Sequence, residues 1–181
     1  LRARGMKWYG FDRFAVKDEK GNWKGQRWDA DITEVGNKFN MNNISAVIGL
    51  CNLKHHLEIV SAHKRNAKLY GRLFSEVLHV TSLVKQRGSD PAYWIYTVLL
   101  DEELDRDTIL EKLNTLGVNA GLVHVPNHNY TCFEQSHTAL PETEYFAKNQ
   151  ISLPCGWWLK EEDIVEIVEI IKNVINEQSI D

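Results

Sequence analysis

At 181 residues, with 43% hydrophobic and 25% charged side chains, the chain has the size and composition of a single globular domain able to bury a core. Its net charge of −4 gives no electrostatic case for nucleic-acid binding, which usually shows a clustered basic face. Cys51, Cys132 and Cys155 are odd in number and far apart, which fits neither a disulfide framework nor a paired metal motif and points to a reducing, cytoplasmic setting; no apolar run approaches the roughly 18 residues of a membrane span.

The opening tract LRARGMKWYG is basic, has no apolar signal-peptide core and starts on Leu1 in mid-pattern, so a fragment of a longer protein is expected. The first forty residues read as irregular, with DEKGNWKG a turn between two short extended pieces. Beyond them Ile44, Val47, Ile48, Cys51, Val60, Ala67, Tyr70, Phe74 and Val77 recur at helical spacing, interrupted by the polar pair His55–His56. That pattern predicts one long helix from about Asn43 to about Glu76, with Asn42 as N-cap.

AYWIYTVLL, Ala92 to Leu100, is aromatic and β-branched and predicts a strand. DRDTILEKLNTLG predicts a helix capped by Asp105 and stopped at Gly117. VNAGLVHV reads as a second strand, ETEYFAKNQ as a short helix and ISLP as a short strand. The last helix, about Glu161 to Glu177, carries Ile164, Val165, Ile167, Val168, Ile171, Val174 and Ile175 on a broad apolar face, behind an acidic start that suits the helix dipole. The fold class is therefore α/β (α+β): a short sheet covered by a long helix and two or three others.

Three clusters could carry chemistry. Lys38, Asn40, Asn42 and Asn43 lie immediately before a helix, where unpaired N–H groups and a lysine suit an anion such as phosphate; the plainer alternative is an N-cap in a solvated loop. His124, Asn127, His128, Asn129 and Tyr130 surround Pro126 after the second predicted strand, and His128 suits an acid–base or substrate-binding role. His124 and His128 are four apart, but Pro126 between them disfavours a helical metal site, and a satisfied loop histidine is the alternative for each. In LPCGWWL, adjacent tryptophans on an extended chain would face opposite ways, one to the core and one to a partner, and Cys155 has no His and acid tied to it as a nucleophile would need. His55, His56 and His63 read as surface or interface residues on the long helix.

Five segments in order, LRARGMKWYGFDR, DITEVGNKFNMNNISAVIGLCNL, AYWIYTVLL, GVNAGLVHVPNH and QISLPCGWWL, resemble the C-terminal part of the DegT/DnrJ/EryC1/StrS family of pyridoxal-phosphate nucleotide-sugar aminotransferases. The resemblance covers essentially the whole chain. It implies the small domain of the aspartate-aminotransferase-like fold (fold type I), with residues 1–41 the end of the large domain and an interface loop, and 42–181 the small domain. It implies a homodimer in which a G-x-N-x-R-M-type loop holds the cofactor phosphate of the neighbouring subunit. Lys38 stands where that pattern has Asn and Asn40 where it has Arg, while Phe39 and Met41 keep its aromatic and Met places. His128 matches a P-x-H loop beside the sugar-nucleotide pocket, with Asn127 next to it, and Trp8, in the stretch Trp8 to Arg13, is a further pocket candidate.

The resemblance also implies what this chain lacks. In the family the Schiff-base lysine precedes the LRARGM segment, so no catalytic residue is assigned here and the chain alone is expected not to transaminate. The whole protein is expected to move an amino group, from glutamate, to a keto-sugar linked to a nucleotide, with pyridoxal 5'-phosphate as cofactor. Two alternatives stand beside it: a non-catalytic sugar-nucleotide-binding or oligomerisation module, and a relative with histidine at the lysine position that deoxygenates the sugar.

Overall fold

The structure, a computed structural model, describes residues 2–11, 17–22, 24, 32, 34–131 and 138–178. Arg13, Cys132 and parts of the extended pieces expected around the DEKGNWKG turn lie outside the described residues. The chain divides into two compact units, Leu1–Lys54 and His55–Asp181.

The first unit contains α1 (Arg2–Met6) and α2 (Asn43–Leu53). The start of the chain, expected to be irregular, thus carries a short helix, and the Arg2 guanidinium is paired with the Glu34 carboxylate. The expected turn is present: Asp18 Oδ1 accepts from the N–H of Lys20 and of Asn22, and Asp18 N–H donates to Asn22 O at 2.8 Å. Asn42 caps α2 as predicted, its Oδ1 accepting from Ser45 N–H at 2.8 Å.

The predicted long helix is two helices, α2 and α3 (His56–Phe74). The ladder fails at Lys54, whose N–H reaches Cys51 O only at 3.4 Å, and at His55, where φ is −105° and ψ −3°; it restarts with Ile59 N–H on His55 O at 3.0 Å. Imidazoles are mediocre helix formers and His55 offers no side-chain cap, so the junction has nothing to carry it through. The two halves also differ in pattern: α2 is apolar on all sides and buries no residue, whereas α3 has one apolar stripe through Ala62, Ala67, Tyr70 and Phe74.

The second unit is built on a three-stranded antiparallel sheet in the order β1 (Val80–Ser82), β2 (Ile95–Leu100), β3 (Gln150–Pro154). Around it lie α3, α4 (Arg106–Thr115), α5 (Pro141–Asn149) and α6 (Glu161–Gln178). The register pairs Tyr96 with Leu153 and Val98 with Ile151, and these residues, with Leu100, enter the core beside Tyr70 and Phe74. Tyr70, Phe74 and Tyr96 stack at centroid distances of 5.0 to 6.2 Å. Because side chains alternate along a strand, Thr97, Leu99, Gln150 and Ser152 point to the other face, where Thr97 and Ser152 hydroxyls meet at 3.0 Å.

Two further expectations are corrected here. VNAGLVHV is not a strand: only Gly121 pairs, with Ser152, through bonds of 2.9 and 2.8 Å. The Asn114 side chain occupies both the N–H and the C=O of Ala120, and Ala120 N–H turns onto Val118 O at 2.7 Å, so the chain before Gly121 is spent on local bonds. The tryptophan pair is not split between core and surface either. After Pro154 the chain turns, with Leu159 N–H on Gly156 O, and both Trp157 and Trp158 are more than half exposed, their rings edge to face. The Trp158 ring folds back over Gly156, where a Cβ would lie 2.1 Å from it.

Cys155 is fully buried, its Sγ 3.5 Å from His63 O, and burial pushes its thiol up to about 12, so it packs rather than reacts. His63 is half-buried, and its Nδ1–H donates to Tyr93 O at 2.9 Å.

The cap of α4 yields a pH prediction. Asp105 accepts from the Thr108 hydroxyl at 2.7 Å and from the N–H groups of Asp107 and Thr108, and the Thr108 hydroxyl bond is the main cause holding its carboxyl below the usual range. A carboxylate with a depressed folded value stabilises above its unfolded value, near ~3.9, and loses that contribution as pH falls through the folded one. Asp105→Ala is therefore expected to lower the melting temperature at pH 7 and to narrow its gap to the parent as melts are taken toward pH 2. A gap that stays constant across that range would sink the assignment.

Candidate functional site

Two groups of residues emerge, one in each unit. In the first, the chain around Trp8 runs antiparallel to the chain around Lys38. Asn37 N–H donates to Met6 O at 2.8 Å, Tyr9 N–H to Asn37 O at 3.2 Å and Phe39 N–H to Lys7 O at 2.9 Å, with Trp8 and Lys38 paired between them. That approach needs glycine twice. A Cβ on Gly36 would sit 2.3 Å from Gly10 N, and one on Gly10, at φ +82°, 1.9 Å from Glu34 O.

The pairing places the Lys38 ammonium 5.0 Å from the centroid of the Trp8 ring. Lys38 is exposed and has no acidic partner among the described residues. Asn40 follows it, half-buried, with its Oδ1 enclosed and unpartnered. Sequence reasoning named Trp8 and Lys38 separately; their pairing was not foreseen, and the glycines at 10 and 36 were its available signal.

The second group lies on the face of the sheet that carries Gln150 and Ser152. The strap from Gly121 to Pro126 is pinned at Gly121 by Ser152 and at His124, whose O accepts from Gln150 Nε2 at 3.1 Å. Asn127–Asn129 then form one turn of 3₁₀ helix, with Tyr130 N–H on Asn127 O at 3.1 Å. The His128 side chain is only 9% exposed, and its Nε2 lies 3.6 Å from Glu144 Oε1 on α5. Asn127 is exposed beside it, and His124 stacks on the exposed Trp94, centroids 6.5 Å apart. Glu144, Gln150 and Trp94 were not foreseen; Gln150 directly before the ISLP strand was a legible signal, since an inward polar residue at a strand start needs a reason.

A hollow of about 320 Å³ opens beside this strap, lined by His124, Pro126, Asn129, Arg106, Lys148 and Gln150 among others. Among the described residues no three metal-ligating side chains come together, and no helix is long and apolar enough to cross a membrane.

The second unit is thus a three-stranded antiparallel sheet carrying helices, with the strap from Gly121 to Pro126 along one face, and the chain shares its fold with part of solved sugar aminotransferases. The crystal structure of the sugar aminotransferase CalS13 from Micromonospora echinospora superposes with a TM-score of 0.77 at 28% identity, over 94% of this chain and 43% of that one. The model of the DegT/DnrJ/EryC1/StrS aminotransferase family matches residues 2–172, and the chain belongs to that family. GDP-perosamine synthase of Vibrio cholerae is 27% identical over 158 residues, 84% of this chain and 42% of the relative. UDP-4-amino-4,6-dideoxy-N-acetyl-beta-L-altrosamine transaminase of Helicobacter pylori is 24% identical over 155 residues, 83% and 41% of the two. The chain thus spans about two fifths of the length of the curated relatives it matches.

The family implies pyridoxal phosphate, and the residues can be tested against its phosphate. Lys38 fits: a cation held on an aromatic face, with no carboxylate partner among the described residues. Asn40 fits only with its amide turned so that Nδ2 faces the anion, because a phosphate oxygen cannot serve an enclosed Oδ1.

Proposed function

We propose that this chain is the C-terminal part of an enzyme that transfers an amino group, from glutamate, to a keto-sugar linked to a nucleotide. Residues 1–41 would end its large domain and 42–181 form its small domain. The family match over residues 2–172 carries the reading, and the relatives named for nucleotide-linked amino sugars support the substrate class. Pyridoxal phosphate, when bound, supplies the electron sink that lets an amino group change carriers.

This chain's residues would bind and orient. Lys38 and Asn40 contact the phosphate of cofactor held in the neighbouring subunit of a homodimer. A cation presented by a rigid paired segment gives that contact without ordering a free side chain at the moment of binding. Asn127 and His128 face the nucleotide sugar, as does Trp8. His128 Nε2 lies 3.6 Å from Glu144 Oε1, and in this reading the imidazole offers a ring nitrogen to a sugar or phosphate oxygen. None of the lysines here stands in the family's Schiff-base context, so the chain alone does not transaminate.

Lys38→Ala in the full-length protein is expected to weaken retention of pyridoxal phosphate about tenfold, the loss of one charge-assisted contact. Absorbance of the bound cofactor after dialysis reads it. Retention equal to the parent would remove Lys38 from the phosphate site.

A further inference from the structure

Arg106 begins α4 and is largely enclosed, its side chain 15% exposed. Its Nε donates to Asp107 Oδ1 at 2.6 Å, and its Nη1 to Ala147 O at 3.0 Å and to Gln150 O at 3.3 Å. Those bonds explain three contacts and leave Nη2, with two N–H donors, without a partner among the described residues. Lys148, one turn along α5 from Glu144, likewise has no acidic partner among them.

Two hollows flank these cations. The smaller, about 160 Å³, is lined by Asp105 and Asp107 as well as by Arg106 and Lys148, so its own carboxylates repel an anion. The larger, about 320 Å³, has Glu144 as the one carboxylate among its described lining residues, and that group lies 3.6 Å from His128 Nε2. His124 and Asn129 add polar edges. Gln150 lines it too, 1% exposed, with Nε2 spent on His124 O and Oε1 unpartnered. An enclosed amide oxygen is costly until it receives a donor.

We propose that the larger hollow binds a small oxyanion, a carboxylate or a phosphate, carried on a molecule that also bears a hydroxyl or ammonium group. Arg106 Nη2 and Lys148 Nζ take the oxyanion, and the adjacent donor serves Gln150 Oε1. Its volume is at the small end for ligand sites, which suits an amino acid or a phosphorylated monosaccharide rather than a whole nucleotide sugar. With an amino acid as the occupant, this deepens the aminotransferase reading by giving its amino donor an anchor; with a phosphorylated monosaccharide, it is a site beyond that reading. It is tested without the cofactor, so its failure and that of the phosphate loop are separable.

The experiment is an amide-resolved NMR titration of the 181-residue chain at constant ionic strength, with L-glutamate, glucose 1-phosphate, neutral glucose and sodium sulfate as probes. Saturable shifts at Lys148, Gln150 and His124 with glutamate, glucose 1-phosphate or both are expected, and which of the two saturates assigns the source of the anion. Lys148→Gln, an exposed change that leaves the fold intact, should weaken binding about tenfold, and Arg106→Gln more. The proposal is overturned by absence of saturation with both anions. It is equally overturned by glucose or sulfate matching them, by shifts confined elsewhere, or by a Lys148→Gln chain that binds like the parent.

Discussion

Tyr70→Ala is expected to lower the unfolding free energy of the His55–Asp181 unit by ~3–5 kcal/mol, the range for deleting a large buried side chain. Tyr70 is fully buried, stacks on Phe74 and Tyr96, and donates its hydroxyl to Pro154 O at 3.0 Å. One residue thus joins α3 to the end of β3 as well as filling the core. Domains of this size are stable by about 5–15 kcal/mol, so the loss is a large share of the total. Tyr70→Phe keeps the stack and removes only the hydroxyl, for ~1 kcal/mol. Denaturant midpoints measure both, read at unchanged slope. Equal losses for the two variants would mean that the stacked ring contributes nothing.

Gly36→Ala is the second large effect, and it falls on the site. The new Cβ would meet Gly10 N at 2.3 Å and Met6 O at 2.6 Å, backbone atoms that cannot swing aside. Relief requires the Trp8 and Lys38 segments to part, breaking the bonds of Asn37, Tyr9 and Phe39. The expected cost is at the upper end of the ~1–3 kcal/mol typical of overpacking. Amide hydrogen exchange at Asn37 and Phe39 should lose its protection, and in the full-length protein cofactor retention should fall as it does for Lys38→Ala. Protected amides in the variant would show that the two segments tolerate a wider spacing.

Much of the fold was legible. The caps at Asn42 and Asp105, the alternation through Tyr96 and Val98, and the broad apolar face of α6 all follow from local chemistry that tertiary packing reinforces. What was missed lies where no residue type marks the event. The break at Lys54–His55 has no glycine or proline to mark it. VNAGLVHV has a strand's composition, yet Asn114, in α4, takes the Ala120 bonds a ladder would need. Three residues of β1 were too few for a period to show. For the sites, residue types could nominate Lys38 and His128, but the partners that give them an environment, Trp8 and Glu144, are set by the fold.

The thread between α3 and the last third of the chain has a consequence for synthesis. Asn66 to Gly156, His63 to Cys155 and Tyr70 to Pro154 are joined across 84 to 92 positions of sequence. A ribosome adding ~5–20 residues per second finishes α3 several seconds before it makes the residues that cover it. During that interval the stripe of Tyr70 and Phe74 faces solvent or a chaperone, and long-range closure of this kind is slow even after release. The vulnerable moment of this unit is therefore its birth: slower elongation between Ser75 and Glu161 would lengthen the exposure, and co-expressed chaperone would raise the yield of folded chain without touching its final stability.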